Sequence, residues 1–392
     1  MKQNVIDLLK HDRCCGCLAC KESCPVGAIN KEQDKYGFIY PMIEVATCIH
    51  CGRCVAACPA LSETTLNHPI KAYAALNTTD EVIFKSSSGG IFTPLAEYIL
   101  ESGGIVCGAT MDDQYDVYHT FAKDIGSLYM LQKSKYVQSN MEGVFSQIKD
   151  ELDDKLVLFS GTPCQVSALM AFLGKEYDNL FTVDVVCHGV PNNDLFKDYM
   201  SFLKFKDSTI IGYEFRAKKQ VRNGMNWYSA ILFNDGRRKV INWPTDSYNY
   251  YYMKCNTYRE SCYGCQFARV DRASDITLCD YWGWEEFHKG TFPTNSSVSG
   301  VIINSEKGLN LFRFIESQLL YIESSYDSIV AHNQSLTQTA AKPIDREEIL
   351  TLWKSKGYDC LDNKFHTDNR KIILKYKLID LIPEKLKTAV KR

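Results

Sequence analysis

With 392 residues, 45% of them hydrophobic and 23% charged, and a formal net charge of −2, the chain has the composition of a globular protein of two or three domains. Nothing in its overall charge points to nucleic acid. Cysteine is the outlier, 17 in all, with nine before residue 60. Met1 to Arg13 holds no apolar segment of signal-peptide type, and no apolar run approaches the ~20 residues of a membrane span. The expected compartment is therefore a reducing cytoplasm, where clustered thiols read as metal ligands rather than disulfides.

Residues 1–65 read as a cysteine-rich domain built on a doubled motif. The first run is Cys14-x2-Cys17-x2-Cys20-x3-Cys24-Pro25 and the second is Cys48-x2-Cys51-x2-Cys54-x3-Cys58-Pro59. Both match the bacterial two-cluster ferredoxin run. Two residues between thiolates let a tight loop wrap one corner of a cubane, and the fourth cysteine is displaced toward the partner cluster. The expected pairing is therefore crossed: Cys14, Cys17, Cys20 and Cys58 for one [4Fe–4S] cluster, and Cys48, Cys51, Cys54 and Cys24 for the other. Small residues between the ligands, among them Gly16, Ala19 and Gly52, admit backbone N–H groups to the sulfurs, with Val26, Ile29 and Ile39 as apolar cover. A pair of zinc knuckles is the weaker alternative, because zinc sites draw four ligands as two pairs. Cys15 stands off this register and reads as an incidental thiol, with an alternative-ligand role as its rival.

Residues 61–70 read as a linker, and from about 71 the pattern is that of a mixed α/β (α+β) fold. Residues 71–150 form one region, 151–350 a second and 351–392 a helical basic tail. The turn-rich loop Lys85 to Gly90 precedes an expected helix over Ile91–Glu101, with a strand at Ile105–Thr110 and an amphipathic helix at Met141–Leu152. Two strand-to-loop-to-helix steps follow. Leu156–Phe159 runs into Gly161-Thr162-Pro163-Cys164, and Phe181–Val186 runs into Cys187-His188-Gly189. Successive βα units predict a parallel sheet with functional loops at the strand C-termini. Ile210–Arg216, Trp227–Phe233 and Arg238–Trp243 read as antiparallel strands, turned at Asn234-Asp235-Gly236. Strands at Ile276–Tyr281 and Val298–Ile303 precede closing helices.

Eight cysteines lie beyond residue 60. Cys262-x2-Cys265 alone is compatible with zinc, redox thiols or half of an iron–sulfur site. Cys164 and Cys187 end two neighbouring strands, so these four can meet as a third site.

The segments KSSSGGIFTPLAEYILESGGIVCGATMD, LVLFSGTPCQVSAL, DVVCHGVP and SCYGCQFARVDRASDITLCDYWG together resemble the coenzyme F-420 hydrogenase/dehydrogenase beta-subunit family over roughly residues 70 to 350. The resemblance implies a flavoprotein oxidoreductase. In such a protein, ferredoxin-type clusters and FAD pass electrons to or from a two-electron acceptor, which is F-420 for some members and other compounds for others. It makes Cys164, Cys187, Cys262 and Cys265 candidate ligands of a third [4Fe–4S] cluster, with Cys255 the rival for the fourth place. Gly161, Thr162 and Pro163 would shape the same pocket, and Ser87, Ser88, Gly89 and Gly90 would face the FAD. Cys279 stands where the family usually has Gly and reads as a small buried residue.

His188 reads either as a proton donor or as a loop-orienting residue, and Tyr248–Tyr252 either as a pocket lining or as packing. Arg216 and Arg259 are phosphate partners by chemistry alone. The expected partners are an electron-donor or acceptor protein, such as a ferredoxin or a redox partner subunit, and a small-molecule acceptor. From Arg370 to Arg392 eight Lys/Arg face two Asp/Glu. That tail reads as an amphipathic helix on an anionic membrane surface or, preferred because Pro383 breaks its pattern, as a solvated terminal helix. Two other classes stay open: an electron-transfer subunit serving a partner enzyme, and a thiol/disulfide reductase using Cys262 and Cys265.

Overall fold

The doubled cysteine motif folds into a doubled backbone. Gly16 and Leu18 in the first run, and His50 and Gly52 at the equivalent places in the second, all adopt left-handed conformations, with φ of 69°, 61°, 52° and 78°. Leu18 and Gly52 each open a single helical turn, Ala19–Glu22 and Arg53–Ala56. Left-handed residues this close together turn backbone N–H groups inward, and after the first run the N–H of Ala28 donates to Cys24 Sγ at 3.3 Å. A hairpin of β1 (Ile29–Gln33) and β2 (Ile39–Ile43) joins the two runs. Val5, Ile29 and Ala60 pack with Cys20, Cys54 and Cys58 at the centre. Val26, expected as cover, is instead 40% exposed.

The computed structural model describes residues 2–205, 208–221 and 227–381. Its largest sheet has eight strands, β3 (Lys71–Asn77), β4 (Ile105–Met111), β5 (Val117–Ala122), β6 (Val157–Gly161), β7 (Leu180–Val185), β11 (Ile276–Asp280), β12 (Ser299–Ile303) and β13 (Leu319–Ser324), in the order β13-β3-β12-β11-β7-β6-β4-β5. The four central strands β4, β6, β7 and β11 run parallel, and β5, β12, β3 and β13 add antiparallel. The parallel strands are covered on both faces and read as continuous apolar runs. Val157, Leu158 and Phe159 are fully buried, each worth about 2 kcal/mol by burial. A separate antiparallel sheet, β8 (Ile210–Ala217), β9 (Tyr228–Phe233) and β10 (Arg238–Asn242), follows the expected hairpin, with Gly236 at φ 83° supplying the turn.

The helix after β6 starts earlier than its apolar pattern suggests, at Pro163 rather than Val166. Thr162 caps it in a capping box with Gln165, and Pro163 takes the first position, where its missing N–H costs nothing. Cys164 therefore stands in a first helical turn.

The tyrosine run lies in the helix Ser247–Met253, and Tyr248 and Tyr251 join Phe196, Phe215 and Trp353 in an aromatic core. The basic tail forms the helix Arg370–Leu381, with Ile373 buried in that core and Leu374 and Leu378 exposed. Pro383 lies outside the described residues. No helix among the described residues is long and apolar enough to cross a membrane.

Candidate functional site

Three of the parallel strands, β6, β7 and β11, end on the same edge of the sheet. The strand-to-loop step after β6 delivers Cys164, that after β7 delivers Cys187 and His188, and β11 delivers Asp280 and Trp282. Cys262 and Cys265 come from a loop whose Arg259 N–H donates to Val190 O at 2.9 Å, which ties it to the Cys187 loop. The thiols of Cys187, Cys262 and Cys265 feel one another, and Cys164 feels Cys187 and Cys265. Burial pushes the Cys187 thiol up to about 12 and raises Cys262 and Cys265 as well. Such thiols stay protonated and inert in neutral water and ionise on a cation. Gly189, at φ 141°, permits the turn after Cys187, because a Cβ there would lie 2.2 Å from the buried Tyr258 ring.

The remaining cysteines stand apart. Cys255, the rival fourth ligand, has Tyr258 and Lys254 as neighbours rather than the other thiols. Cys279 sits in β11 with its thiol on Gly300 O at 3.6 Å, in keeping with a small buried residue. Cys107 lies within β4, opposite Phe159 of β6, and is buried in the core.

In the N-terminal domain Cys14, Cys15, Cys17, Cys20 and Cys58 line one small pocket, which brings together the four cysteines expected as one set and Cys15 beside them. Burial raises the Cys58 thiol to about 12, with Cys14 among its neighbours, and raises the Cys20 thiol further. Among the described residues no three His, Cys, Asp or Glu side chains close on a single metal ion. A cubane spreads its ligands over four irons, so its thiols stand farther apart than those of one tetrahedral ion. The donor sets are all-thiol, which suits an iron–sulfur group.

The two cysteine systems are docked against each other. Arg13 donates to Ala60 O at 3.0 Å and to Gln266 Oε1 at 2.6 Å, and Gln266 donates to Pro59 O at 3.0 Å. Arg259, read from sequence as a phosphate partner, is instead 1% exposed and spends Nε on Cys14 O and Nη2 on Ile39 O. Pattern reading missed it because its partners lie more than 200 positions away in the chain.

Beside His188 lies an aromatic and cationic cluster. Trp282 stands 6.4 Å from the His188 ring and 6.2 Å from Trp227, and Tyr136 stacks on Tyr252 at 4.4 Å. Arg216 lies 4.4 Å over Trp227, pairs with Asp280 at 2.7 Å and donates to Ser87 O at 3.2 Å. Lys218 donates to Ile83 O and Ser88 O, and burial pulls its ammonium down to about 7. Burial lowers His188 below its ordinary value, so it is neutral at neutral pH, and Ser335 Oγ lies 3.2 Å from its Nε2. Ser87 faces this cluster. Gly89 is pressed onto the sheet: its N–H donates to Ser299 Oγ at 2.9 Å, and a Cβ there would meet Ala75 O at 2.6 Å. Gly90 is buried in the same turn. Of these aromatic groups Trp282 was legible as part of the quoted motif and Tyr252 as part of the tyrosine run. Trp227, Lys218 and Tyr136 come from elements with no site signature.

The family of the C-terminal part of the coenzyme F420 hydrogenase/dehydrogenase beta chain matches residues 154–327, and its N-terminal counterpart matches 72–146. A "4Fe-4S dicluster domain" matches residues 13–62. One of the subunits of the F(420)H(2) dehydrogenase of Methanosarcina mazei is 21% identical over 180 residues, which cover 43% of this chain and 51% of that protein. The chain thus matches about half the length of that curated relative. A chain in the F420-reducing [NiFe] hydrogenase complex from Methanosarcina barkeri is 16% identical, with a TM-score of 0.42 and coverage of 78% of this chain and 94% of that one. With a 4Fe-4S dicluster domain leading into both halves of the beta-subunit match, the chain belongs to the coenzyme F420 hydrogenase/dehydrogenase beta-subunit family.

Proposed function

We propose that the chain is an iron–sulfur flavoprotein oxidoreductase that moves electrons between a redox protein, ferredoxin or a partner subunit, and a two-electron organic acceptor of the F420 kind. The observation that carries this reading is the placement of a second all-cysteine set, Cys164, Cys187, Cys262 and Cys265, between the ferredoxin-type domain and the aromatic cluster at His188. When bound, [4Fe–4S] clusters supply single-electron carriers and FAD exchanges one or two electrons. The ferredoxin sets would be Cys14, Cys17, Cys20 and Cys58, and Cys48, Cys51, Cys54 and Cys24.

The aromatic cluster suits a flavin ring better than the Gly89–Gly90 turn does. Trp227 and Trp282 offer flat apolar walls, and Arg216, already balanced by Asp280, adds a fixed guanidinium. Ser87 O accepts from Arg216 and Ser88 O from Lys218, and Gly161, Thr162 and Pro163 shape the turn that carries Cys164. Neutral His188 can hold or give a proton at the acceptor's face.

Anaerobic mixing of the FAD-reconstituted chain with reduced ferredoxin tests the reading. Retained flavin should bleach. Cys164→Ser should keep the ferredoxin-domain iron and slow the bleaching at least tenfold. A chain that keeps its iron and never retains flavin is instead an electron-transfer protein whose substrate site lies in a partner.

A further inference from the structure

The two ends of the ferredoxin-type domain are unlike. The Cys14 loop is packed against the rest of the chain: Arg259 Nε donates to Cys14 O at 2.7 Å and Gln138 Nε2 to Cys15 O at 3.0 Å. Lys21 and Lys31 both pair with Glu142, beyond the domain. The Cys48 loop makes no such contact. Among the described residues, the backbone hydrogen bonds of residues 44–56 stay within the N-terminal domain, as where Glu44 N–H donates to Ala28 O at 2.9 Å. Three of the four thiols expected in that set, Cys24, Cys48 and Cys51, are only half-buried. The surface around them is apolar. Val45 is 73% exposed and Ile49 59%, on either side of Cys48 in the chain, and Val26 and Met42 on the adjoining segments are exposed as well. Lys2 and Arg53, both exposed, stand at the edge of this patch, with Lys2 lying over the Gly52 turn, where a Cβ would meet its Cδ at 2.9 Å. Glu44 is the only acid from Lys35 to Ser62.

Building on the reading above, in which the Cys48 set holds a cluster, we propose that the face of Val45 and Ile49 is the docking surface for an acidic single-electron carrier of ferredoxin type, which exchanges its electron with the Cys48 set. One electron leaves the carrier and arrives at this set; no bond is made or broken and no proton moves. An uncovered apolar patch beside a redox centre marks a place of contact, and its edge selects the partner, because Lys2 and Arg53 attract an acidic surface. Transient redox encounters bury little area, so a few apolar side chains suffice for contact while charge steers the approach. The Cys14 set, packed against the rest of the chain, is then the inner station.

The test uses the full chain, purified anaerobically as the parent, Val45→Glu, Lys2→Glu and, as a control elsewhere on the surface, a glutamate in place of the fully exposed Ile344. Each is mixed by stopped flow with a reduced two-cluster bacterial ferredoxin and, separately, with dithionite, and cluster bleaching is followed at equal iron content. Val45→Glu and Lys2→Glu should each slow bleaching by ferredoxin on the order of tenfold at low salt, with the difference shrinking as salt rises. Dithionite bleaching and iron content should match the parent, and Ile344→Glu should match it with both reductants. Ferredoxin rates unchanged in both face variants would overturn the docking surface. A parent that dithionite reduces and ferredoxin does not would overturn the partner. A parent that dimerises through this face, with Val45→Glu monomeric, would put a second copy there and overturn the proposal equally. A chain that ferredoxin reduces through this face but that never retains flavin would sink the flavoprotein reading and leave the docking surface standing.

Discussion

Arg259 Nε donates to the backbone carbonyl of Cys14 across the domain junction at 2.7 Å, with the guanidinium stacked 4.1 Å over the Tyr40 ring. A residue three places before Cys262 thus holds the first ferredoxin loop in place. Arg259→Lys should destabilise the chain by about 3 kcal/mol, because an ammonium cannot reproduce the fork and leaves buried carbonyls unpaired. Anaerobic thermal unfolding measures this. An unfolding temperature equal to the parent's would show that the docking does not depend on Arg259.

Glu22 caps a helix that is not its own. Its carboxylate accepts from Gly143 N at 2.8 Å and from Ser146 N at 2.9 Å, at the start of the helix Val144–Glu151. Glu22→Ala should cost about 1–2 kcal/mol, the range of a lost N-cap. Hydrogen exchange should quicken at the first turn of that helix. Unchanged exchange there would argue against the cap.

Gly189→Ala should disrupt the Cys187 turn, since the new methyl meets the Tyr258 ring and the backbone sits at φ 141°. About four irons of an expected twelve should be lost, at four per cubane, while the ferredoxin-domain iron remains. Full iron retention would mean that the turn tolerates a side chain and that Cys187 is not a ligand.

His119 fixes a pH dependence. Its Nε2 lies 3.1 Å from Ser160 O, and burial lowers its pKa to about 4. The unfolded imidazole, near 6.5, binds the proton more readily. Stability from this residue is therefore fully present above about pH 6.5 and falls as the pH drops toward 4, by about 3 kcal/mol over the window. His119→Gln should flatten that part of the stability profile, measured by urea unfolding at several pH values. An unaltered slope would place the acid sensitivity elsewhere.

The parallel core was legible because buried strands read as short apolar runs and each ran straight into a loop with marked residues, at Cys164 and Cys187. The β9–β10 hairpin was legible from Asn234-Asp235-Gly236. Strand β3, KAYAALN, was not, because Leu76 and Asn77 break its alternation and its residues after Lys71 are all buried. Strand β13 escaped as a half-exposed sheet edge. The ferredoxin sets were written in spacing. The role of Arg259 was not, since spacing carries no information on groups met only when two domains dock. The tyrosine run over 248–252 divides physically: Tyr248 and Tyr251 are core, while Tyr252 stacks on Tyr136 beside the site.

The most direct test of three cluster sites and a flavin in one chain is anaerobic purification with iron, acid-labile sulfide and flavin counted on the same sample. About twelve irons per chain, at four per cubane, with one FAD after reconstitution, is the predicted result. About eight irons and no flavin would contradict the second cysteine set as a cluster site and the aromatic cluster as a flavin site, leaving the ferredoxin domain alone as the redox centre.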